Sequence, residues 1–347
     1  MTPRETTGAS LLAIRGLHVT YRTDEAPLPA VRGVDLTVER GQIVGVAGES
    51  GCGKSTLAST VLRLQPPSAS VSGEVLFDGH DIMTMRWGEL RAVRWAGASI
   101  VFQGALHSLN PVQRVGTQIA EPIHLHTPRL GDVKTEARVR ELLEQVGLDP
   151  ARGRSYPHQL SGGQKQRVMI AMALACDPEL VVADEPTTAL DVMVQAQVLG
   201  VLSGLVRERG VGMMMISHDL SVLAELCDRI TVMYAGRVVE EGPAEKVFSE
   251  PLHPYAGALS AAFPRIGDPA ARFAPSGLPG DPPDPRNLAG GCSFAPRCPR
   301  AADVCLPAEP ELMPHASGRV AACVRIGEPD QTPRPSATQE PPDEVAS

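Results

Sequence analysis

Short apolar runs bounded by glycine or charge open the chain, at residues 11–21 (LLAIRGLHVTY), 31–39 (VRGVDLTVE) and 43–48 (IVGVAG). Runs of that length and bordering predict strands, so a sheet begins early. Helical spacing follows at 55–64 (STLASTVLRL), then an edge hairpin at 72–79 (SGEVLFDG) and a short buried strand at 98–103 (ASIVFQ). Between about 105 and 160 the pattern is irregular and helical, and 133–148 (VKTEARVRELLEQVGL) forms the clearest amphipathic helix.

From residue 161 helix and strand alternate: helix 162–175, strand 179–184, helix 192–209, strand 211–217, helix 220–227, strand 229–236. This predicts α/β architecture with a parallel sheet, and makes the preceding helical stretch an insertion. Met213, Met214 and Met215 fall inside the penultimate strand and read as core filler, not a metal box. Beyond about residue 250 the composition turns to Pro and Gly, and cysteines cluster between 292 and 323, as in a small loop-rich appendage. Residues 328–347 hold almost no apolar side chains and are expected to be disordered.

With 347 residues, 43% of them hydrophobic, a sizeable core is available. The net charge of -8 and pI near 5.6 argue against a general nucleic-acid binder, which needs clustered Lys and Arg. No run of 18 apolar residues occurs, and the first ten residues lack the basic-then-apolar order of a signal peptide. A cytoplasmic chain is expected, free to dock peripherally on membrane proteins. Its seven cysteines are then expected to be thiols or metal ligands rather than disulfides.

Residues 48–56 (GESGCGKST) fit G-x-x-x-x-G-K-[ST], follow a strand and open a helix. Gly48, Ser50, Gly51 and Gly53 let backbone N–H groups converge on phosphate oxygens, and the helix N-terminus adds partial positive charge. Lys54 reaches the β- and γ-phosphates of a nucleoside triphosphate, Ser55 ligates Mg²⁺, and Thr56 adds a phosphate contact. In 179–187 (ELVVADEPT), Asp184 ends a buried strand where α/β sheets place ligands, suited to bind Mg²⁺, and Glu185 is set to polarise an attacking water. In 160–167 (LSGGQKQR), Ser161 and Gln164 form a capping box, and Gly162 and Gly163 leave bare amides at a second helix N-terminus. One cradle and two phosphate-seeking helix ends suggest that the second serves another subunit's nucleotide.

Together these segments resemble the nucleotide-binding subunit of an ABC transporter, over about residues 11–241. Walker A is GESGCGKST, Walker B is LVVADEPT and the signature is LSGGQKQR. The resemblance implies a P-loop NTPase ABC cassette, with a RecA-like core, an antiparallel β subdomain and a helical insertion. It implies ATP as substrate, Mg²⁺ as cofactor, Tyr21 stacking on adenine, Gln103 as the Q-loop glutamine contacting Mg²⁺ and water, Ala189-Leu190-Asp191 as the D-loop, and His218 as the switch histidine holding the γ-phosphate. Two such subunits are expected to close head to tail, so that Ser161, Gly162 and Gly163 of one meet the γ-phosphate held by Lys54 of the other. Gly104 and Ala105 depart from the acidic residue and Pro that many relatives carry after the glutamine, so a slightly altered coupling surface is expected. Lys165 is likewise unusual in the signature.

The stretches HSLNPV, IAEPI and EPLHPYAGAL, with LPGDPPDP, GGCSFAPRCPRAADVC and VAAC behind them, resemble the oligopeptide and dipeptide importer branch, which includes nickel importers. That resemblance implies a second ATPase subunit, identical or different, two transmembrane permease subunits, an extracytoplasmic solute-binding protein and a station on the cytoplasmic face of the membrane. Import of nickel or a glycoside, or export, is the alternative within the family. A DNA-repair or translation ABC protein and a small-molecule kinase are the alternatives outside it. The expected boundaries are a cassette at 1–250 with its helical subdomain at about 105–165, an extension at 251–327 and a tail at 328–347.

Cys292, Cys298, Cys305 and Cys323 are separated by five, six and seventeen residues, without a C-x-x-C pair. Zinc, a [4Fe–4S] cluster and four reduced thiols are open alternatives for them. Cys52, inside the cradle, is either a small filler or a thiol acidified by helix-terminal amides. Cys176 and Cys227 read as core residues.

Overall fold

The computed structural model describes residues 10–102, 108–187, 190–262, 278, 280–288, 290–315 and 318–327. Strand β1 (Leu12–Tyr21) lies between β2 (Leu28–Val38) and β4 (Ala69–Phe77), with the two-residue β5 (His80–Asp81) beyond β4. All neighbours in this sheet run antiparallel. The buried side of β1 changes parity along the strand, from Leu12 and Ile14 to Leu17 and Val19. The pairing to β2 slips between Ile14 and Leu17, and this bulge keeps both halves aimed into the core. The hairpin expected at 72–79 is made by the end of β4 and β5 across Asp78–Gly79, and β4 itself is interior because it also pairs with β1 along most of its length. On that side β5 forms the edge, opposite the edge strand β2, and β5 stops where the Asp81 carboxylate accepts hydrogen bonds from the backbone N–H groups of Val75 and Met83.

The larger sheet contains β3 (Ile43–Ala47), β6 (Ala98–Val101), β7 (Leu180–Asp184), β8 (Gly212–Ser217), β9 (Arg229–Tyr234), β10 (Arg237–Pro243), β11 (Met313–His315) and β12 (Arg319–Ala321). Its order is β11-β12-β10-β9-β3-β8-β7-β6. The segment from β9 to β6 is parallel, and β10, β12 and β11 add antiparallel strands. In β3 and β7 every residue is buried, and in β8 and β9 all but one terminal residue are, which explains their nearly unbroken apolar sequences. Val44, Val46, Met214 and Ile216 pack toward the antiparallel sheet, whereas Ile43, Met213 and Met215 pack into the other core. The three methionines are core residues.

Helix α1 (Lys54–Val61) follows β3, and α2 (Trp87–Val93) precedes β6. The insertion supplies α3 (Val115–His126) and α4 (Asp132–Gln145), and α5 (Gly162–Ala173) packs against both before the chain enters β7. Helices α6 (Val192–Arg209) and α7 (Leu220–Leu226) alternate with the remaining parallel strands. Beyond β10 come α8 (Ala244–Ser249) and α9 (Pro254–Ala262). The cysteine-rich stretch shares the main framework: β11 and β12 extend the sheet, and Phe294 is buried in the same cluster as Tyr234 and Tyr255. The Glu309 carboxylate accepts hydrogen bonds from Arg32 on β2 and Arg237 on β10, fixing the stretch to both sheets. Residues 328–347 lie outside the described residues. Among the described residues no helix is long and apolar enough to cross a membrane.

Candidate functional site

The cradle begins where β3 ends. Gly48 has φ 152°, and a Cβ there would meet the Met233 carbonyl oxygen at 2.3 Å. Gly53, the N-cap of α1, has φ 105°, and its Cβ would meet the Ala30 carbonyl oxygen at 2.2 Å. Both positions demand glycine on conformational and steric grounds, so the loop is pressed against β9 and β2. No side chain caps α1, which leaves its first-turn N–H groups available to an anion. Lys54 is buried and donates from Nζ to the carbonyl oxygens of Gly48 at 2.7 Å and Glu49 at 2.8 Å. Its ammonium is thus held over the loop that carries the other phosphate-seeking groups.

Ser55 donates from Oγ to Asp184 Oδ1 at 3.3 Å, bringing the hydroxyl and the carboxylate together from β3–α1 and from the end of β7. Burial raises the Asp184 carboxyl, and the Ser55 hydrogen bond opposes that shift. A hydroxyl and a carboxylate at this corner are hard oxygen donors suited to Mg²⁺. Glu185 adopts φ 45° immediately after β7, and its backbone N–H donates to the Ile216 carbonyl oxygen at 3.1 Å. That turn carries its carboxylate to within 3.8 Å of His218 Nδ1, on the loop after β8. Tyr21, at the end of β1, donates from its hydroxyl to Thr56 Oγ1 at 3.2 Å, so it stands at the rim of the same helix end.

Ser161 caps α5: its Oγ accepts from Gln164 N at 3.3 Å, and Gln164 Oε1 accepts from Ser161 N at 3.1 Å. Gly162 is only half-buried, but Gly163 is packed so tightly on α6 that a Cβ would meet Val194 Cγ1 at 2.3 Å. The second glycine therefore also serves helix packing, which the spacing alone does not reveal. Among the described residues no hydrogen bond joins Ser161, Gly162, Gly163 or Gln164 to the cradle of the same chain. Asp191 caps α6, accepting from Val194 N at 3.0 Å. Gln103, Gly104, Ala105 and Ala189 lie outside the described residues.

The acidified reading of Cys52 is corrected by its surroundings. The side chain is buried beneath the loop, and burial pushes its thiol up despite the Lys54 ammonium nearby. Cys227 is buried at the end of α7, and Cys176, half-buried after α5, is pushed up to about 11 by burial. None of the seven cysteines is disulfide-bonded. Cys292, Cys298, Cys305 and Cys323 converge on one cavity of about 20 Å³ beside His253 and Phe294. Such a void holds a water-sized guest. Among the described residues no group of three or more His, Cys, Asp or Glu side chains is arranged to hold a metal ion.

Two residues that motif reading missed also reach the cradle. Glu49 N donates to the Tyr255 hydroxyl at 2.8 Å, and the Glu49 carboxylate accepts from Arg297 Nη1 at 2.6 Å and Nη2 at 2.9 Å. Tyr255 belongs to the HPY stretch, which in the sequence marks only a branch of relatives. Arg297 carries no sequence signal.

Residues 31–188 match the family described as ABC transporter, and residues 239–305 match the oligopeptide/dipeptide transporter C-terminal region. The oligopeptide transport ATP-binding protein OppD of Salmonella typhimurium is 43% identical over 317 residues, which are 91% of this chain and 93% of that protein. This chain belongs to the ABC transporter family. The Mycobacterium tuberculosis OppD is 46% identical over 318 residues, 91% of this cassette protein, which thereby spans only 52% of that relative's length. Among solved structures, the post-hydrolysis dimer of the ATP-binding cassette MJ0796 with ADP and Pi matches with a TM-score of 0.62 and 29% identity, covering 67% of this chain and 98% of that one. CbiO1 from Clostridium perfringens, part of the ABC transporter complex cbiONQ, gives a TM-score of 0.60 and 30% identity, covering 70% and 91%. The fold is accordingly a P-loop ABC cassette, for which the family implies ATP and Mg²⁺.

Proposed function

We propose that this chain is the ATP-hydrolysing subunit that powers import of dipeptides or oligopeptides. It acts peripherally at the cytoplasmic face of the membrane, with a second cassette, two permease subunits and an extracytoplasmic solute-binding protein. The observation that carries the reading is the meeting of three strand ends. Lys54 and Ser55 follow β3, Asp184 ends β7 with Glu185 directly after it, and His218 follows β8, all at the carboxyl edge where parallel sheets bind ligands.

In this reading Lys54 and the amides from Gly48 to Thr56 hold the phosphates, with Ser50 and Gly51 among them, and Tyr21 flanks the adenine. Ser55 and Asp184 hold Mg²⁺, which neutralises phosphate charge. Glu185 takes the proton of an attacking water as the new bond to the γ-phosphorus forms and the bond to the β-phosphate oxygen breaks, releasing ADP and phosphate. His218 orients the γ-phosphate beside Glu185, and Gln103 orients the water. Ser161, Gly162, Gly163 and Gln164 of a second cassette close the site, with Asp191 at that junction. Lys54→Ala is expected to lose nucleotide affinity in the full chain; a variant that binds ATP like the native protein contradicts the assignment.

The domain division follows the same reading: a cassette at 1–250 with a helical subdomain near 105–165, and an importer-type extension at 251–327. The likeness of residues 239–305 to oligopeptide/dipeptide transporters favours peptides over nickel, glycosides or an exported solute. A second reading concerns the extension, where convergence of Cys292, Cys298, Cys305 and Cys323 favours a [4Fe–4S] cluster and the 20 Å³ cavity opposes one in this side-chain arrangement. Iron content and visible absorption of anaerobically purified protein decide between them: a colourless, iron-free, folded product removes the cluster.

A further inference from the structure

Glu49 is a cradle residue whose backbone N–H, carbonyl and side chain are bound by three separate partners. Its N–H donates to Tyr255, its carbonyl oxygen accepts from Lys54, and its carboxylate accepts two parallel bonds from Arg297. The Arg297 side chain is only 7% exposed and that of Glu49 21%, so this bidentate pair is largely withdrawn from water. Hydrogen bonding to Glu49 raises the Arg297 guanidinium, which stays charged.

The local fold explains how a residue so distant in sequence arrives there. A one-turn helix over Ala295–Arg297 is closed by Arg297 N donating to Phe294 O at 3.0 Å and by Ala295 N donating to Cys292 O at 2.9 Å. Phe294 anchors this turn edge-on to Tyr234 at 5.2 Å and to Tyr255 at 5.3 Å between ring centroids. On the other side, Glu240 accepts from Leu252 N and His253 N, and His253 Nδ1 accepts from Tyr255 N at 3.0 Å. This bonding sets the tyrosine under the loop. The HPY stretch and the cysteine-rich turn therefore meet at one cradle residue.

A carboxylate inside a loop that receives a triphosphate is electrostatically adverse unless it is neutralised. We infer that Arg297, carried by the cysteine-rich stretch, is a positioning residue for the phosphate cradle: it neutralises and fixes Glu49 so that the loop accepts a nucleoside triphosphate. This rests on the nucleotide reading of the Lys54 site and extends it to the C-terminal stretch. The extension thereby supports ATP binding from behind the loop, without touching the nucleotide.

The test uses the full chain and trinitrophenyl-ATP binding followed by fluorescence, with Arg297→Met, Arg297→Lys, Glu49→Gln, the double variant Glu49→Gln/Arg297→Met, and Lys54→Ala as reference. Arg297→Met is expected to raise Kd about 10-fold, because it leaves the Glu49 charge without its partner. Arg297→Lys, which keeps charge but loses the two-pronged geometry, is expected to raise Kd about 3-fold. The double variant removes the stranded charge and is expected to return to within about 3-fold of native Kd, a rescue that a merely structural role would not give. If Lys54→Ala loses binding while Arg297→Met and Arg297→Lys bind like the native chain, the positioning role is overturned and the nucleotide site stands. Failure of the double variant to recover overturns the role as well. If Lys54→Ala itself binds normally, the nucleotide reading fails first. Should Arg297→Met not fold, Arg297→Lys decides alone: a raised Kd supports the role and a native Kd overturns it.

Discussion

Replacing Gly53 and Gly51 by alanine separates two costs that the cradle imposes on its glycines. Gly51 has φ 80° and an added Cβ meets nothing within 4 Å, so Gly51→Ala carries only the strain of a left-handed L-residue, about 1–2 kcal/mol. Gly53 has φ 105°, and its Cβ would also stand 2.2 Å from the Ala30 carbonyl oxygen. The obstructing atom is backbone in β2, which is held on both sides of the contact by pairing to β1. Overpacking of that kind adds about 1–3 kcal/mol, so Gly53→Ala is expected to lose about 2–5 kcal/mol in all. Against the 5–15 kcal/mol of an ordinary domain, that is a large share. Urea unfolding at fixed pH and temperature, with both variants compared with the native chain, reads the difference directly. Equal midpoints for Gly51→Ala and Gly53→Ala would refute the steric reasoning and the close seating of the loop on β2.

The remaining expectations concern the aromatic base of the loop. His253 is buried and pushed down to about 4 by burial, so it is neutral in the folded chain where the unfolded chain takes up a proton. Its contribution is full above about pH 6.5 and is lost as pH falls toward 4, roughly 3 kcal/mol in all. Glu240, raised by burial and bonded to His253 N, shifts stability with the opposite sign, and keeping it in both proteins cancels that effect. His253→Asn should therefore flatten the fall in unfolding midpoint between pH 7 and 5, and an unchanged slope would count against a buried neutral imidazole. Phe294→Ala removes a ring that is 1% exposed and packed on two tyrosines, at a cost of about 3–5 kcal/mol in denaturation. A loss below about 1 kcal/mol would mean that the cysteine-rich stretch is not part of the core.

Local pattern made much of this architecture readable. The apolar runs of β3, β7, β8 and β9 and the spacing of α4, α5 and α6 are signals within a few residues, as are the cradle and the Ser161–Gln164 capping box. Helix α3 was hidden by Pro122 in its interior, and β4 by the turn signal at Asp78–Gly79, which drew attention to the edge rather than to the strand behind it. The grip of Arg297 on Glu49 spans 248 positions and depends on how Phe294 packs, so no periodicity could disclose it. For Cys52 the helix-terminal amides can be inferred from sequence, whereas the burial that outweighs them cannot. The residues that gather at the carboxyl edge of the parallel sheet are legible because each ends a strand, directly follows one or opens a helix.

The proposed mechanism makes Glu185 the general base of a site completed by a second cassette. Glu185→Gln keeps the shape and removes the base, so the full chain should still bind ATP, lose turnover by about 100-fold or more, and accumulate as an ATP-dependent dimer in size-exclusion chromatography with light scattering. Native turnover with no ATP-dependent dimer in that variant would contradict that role of Glu185.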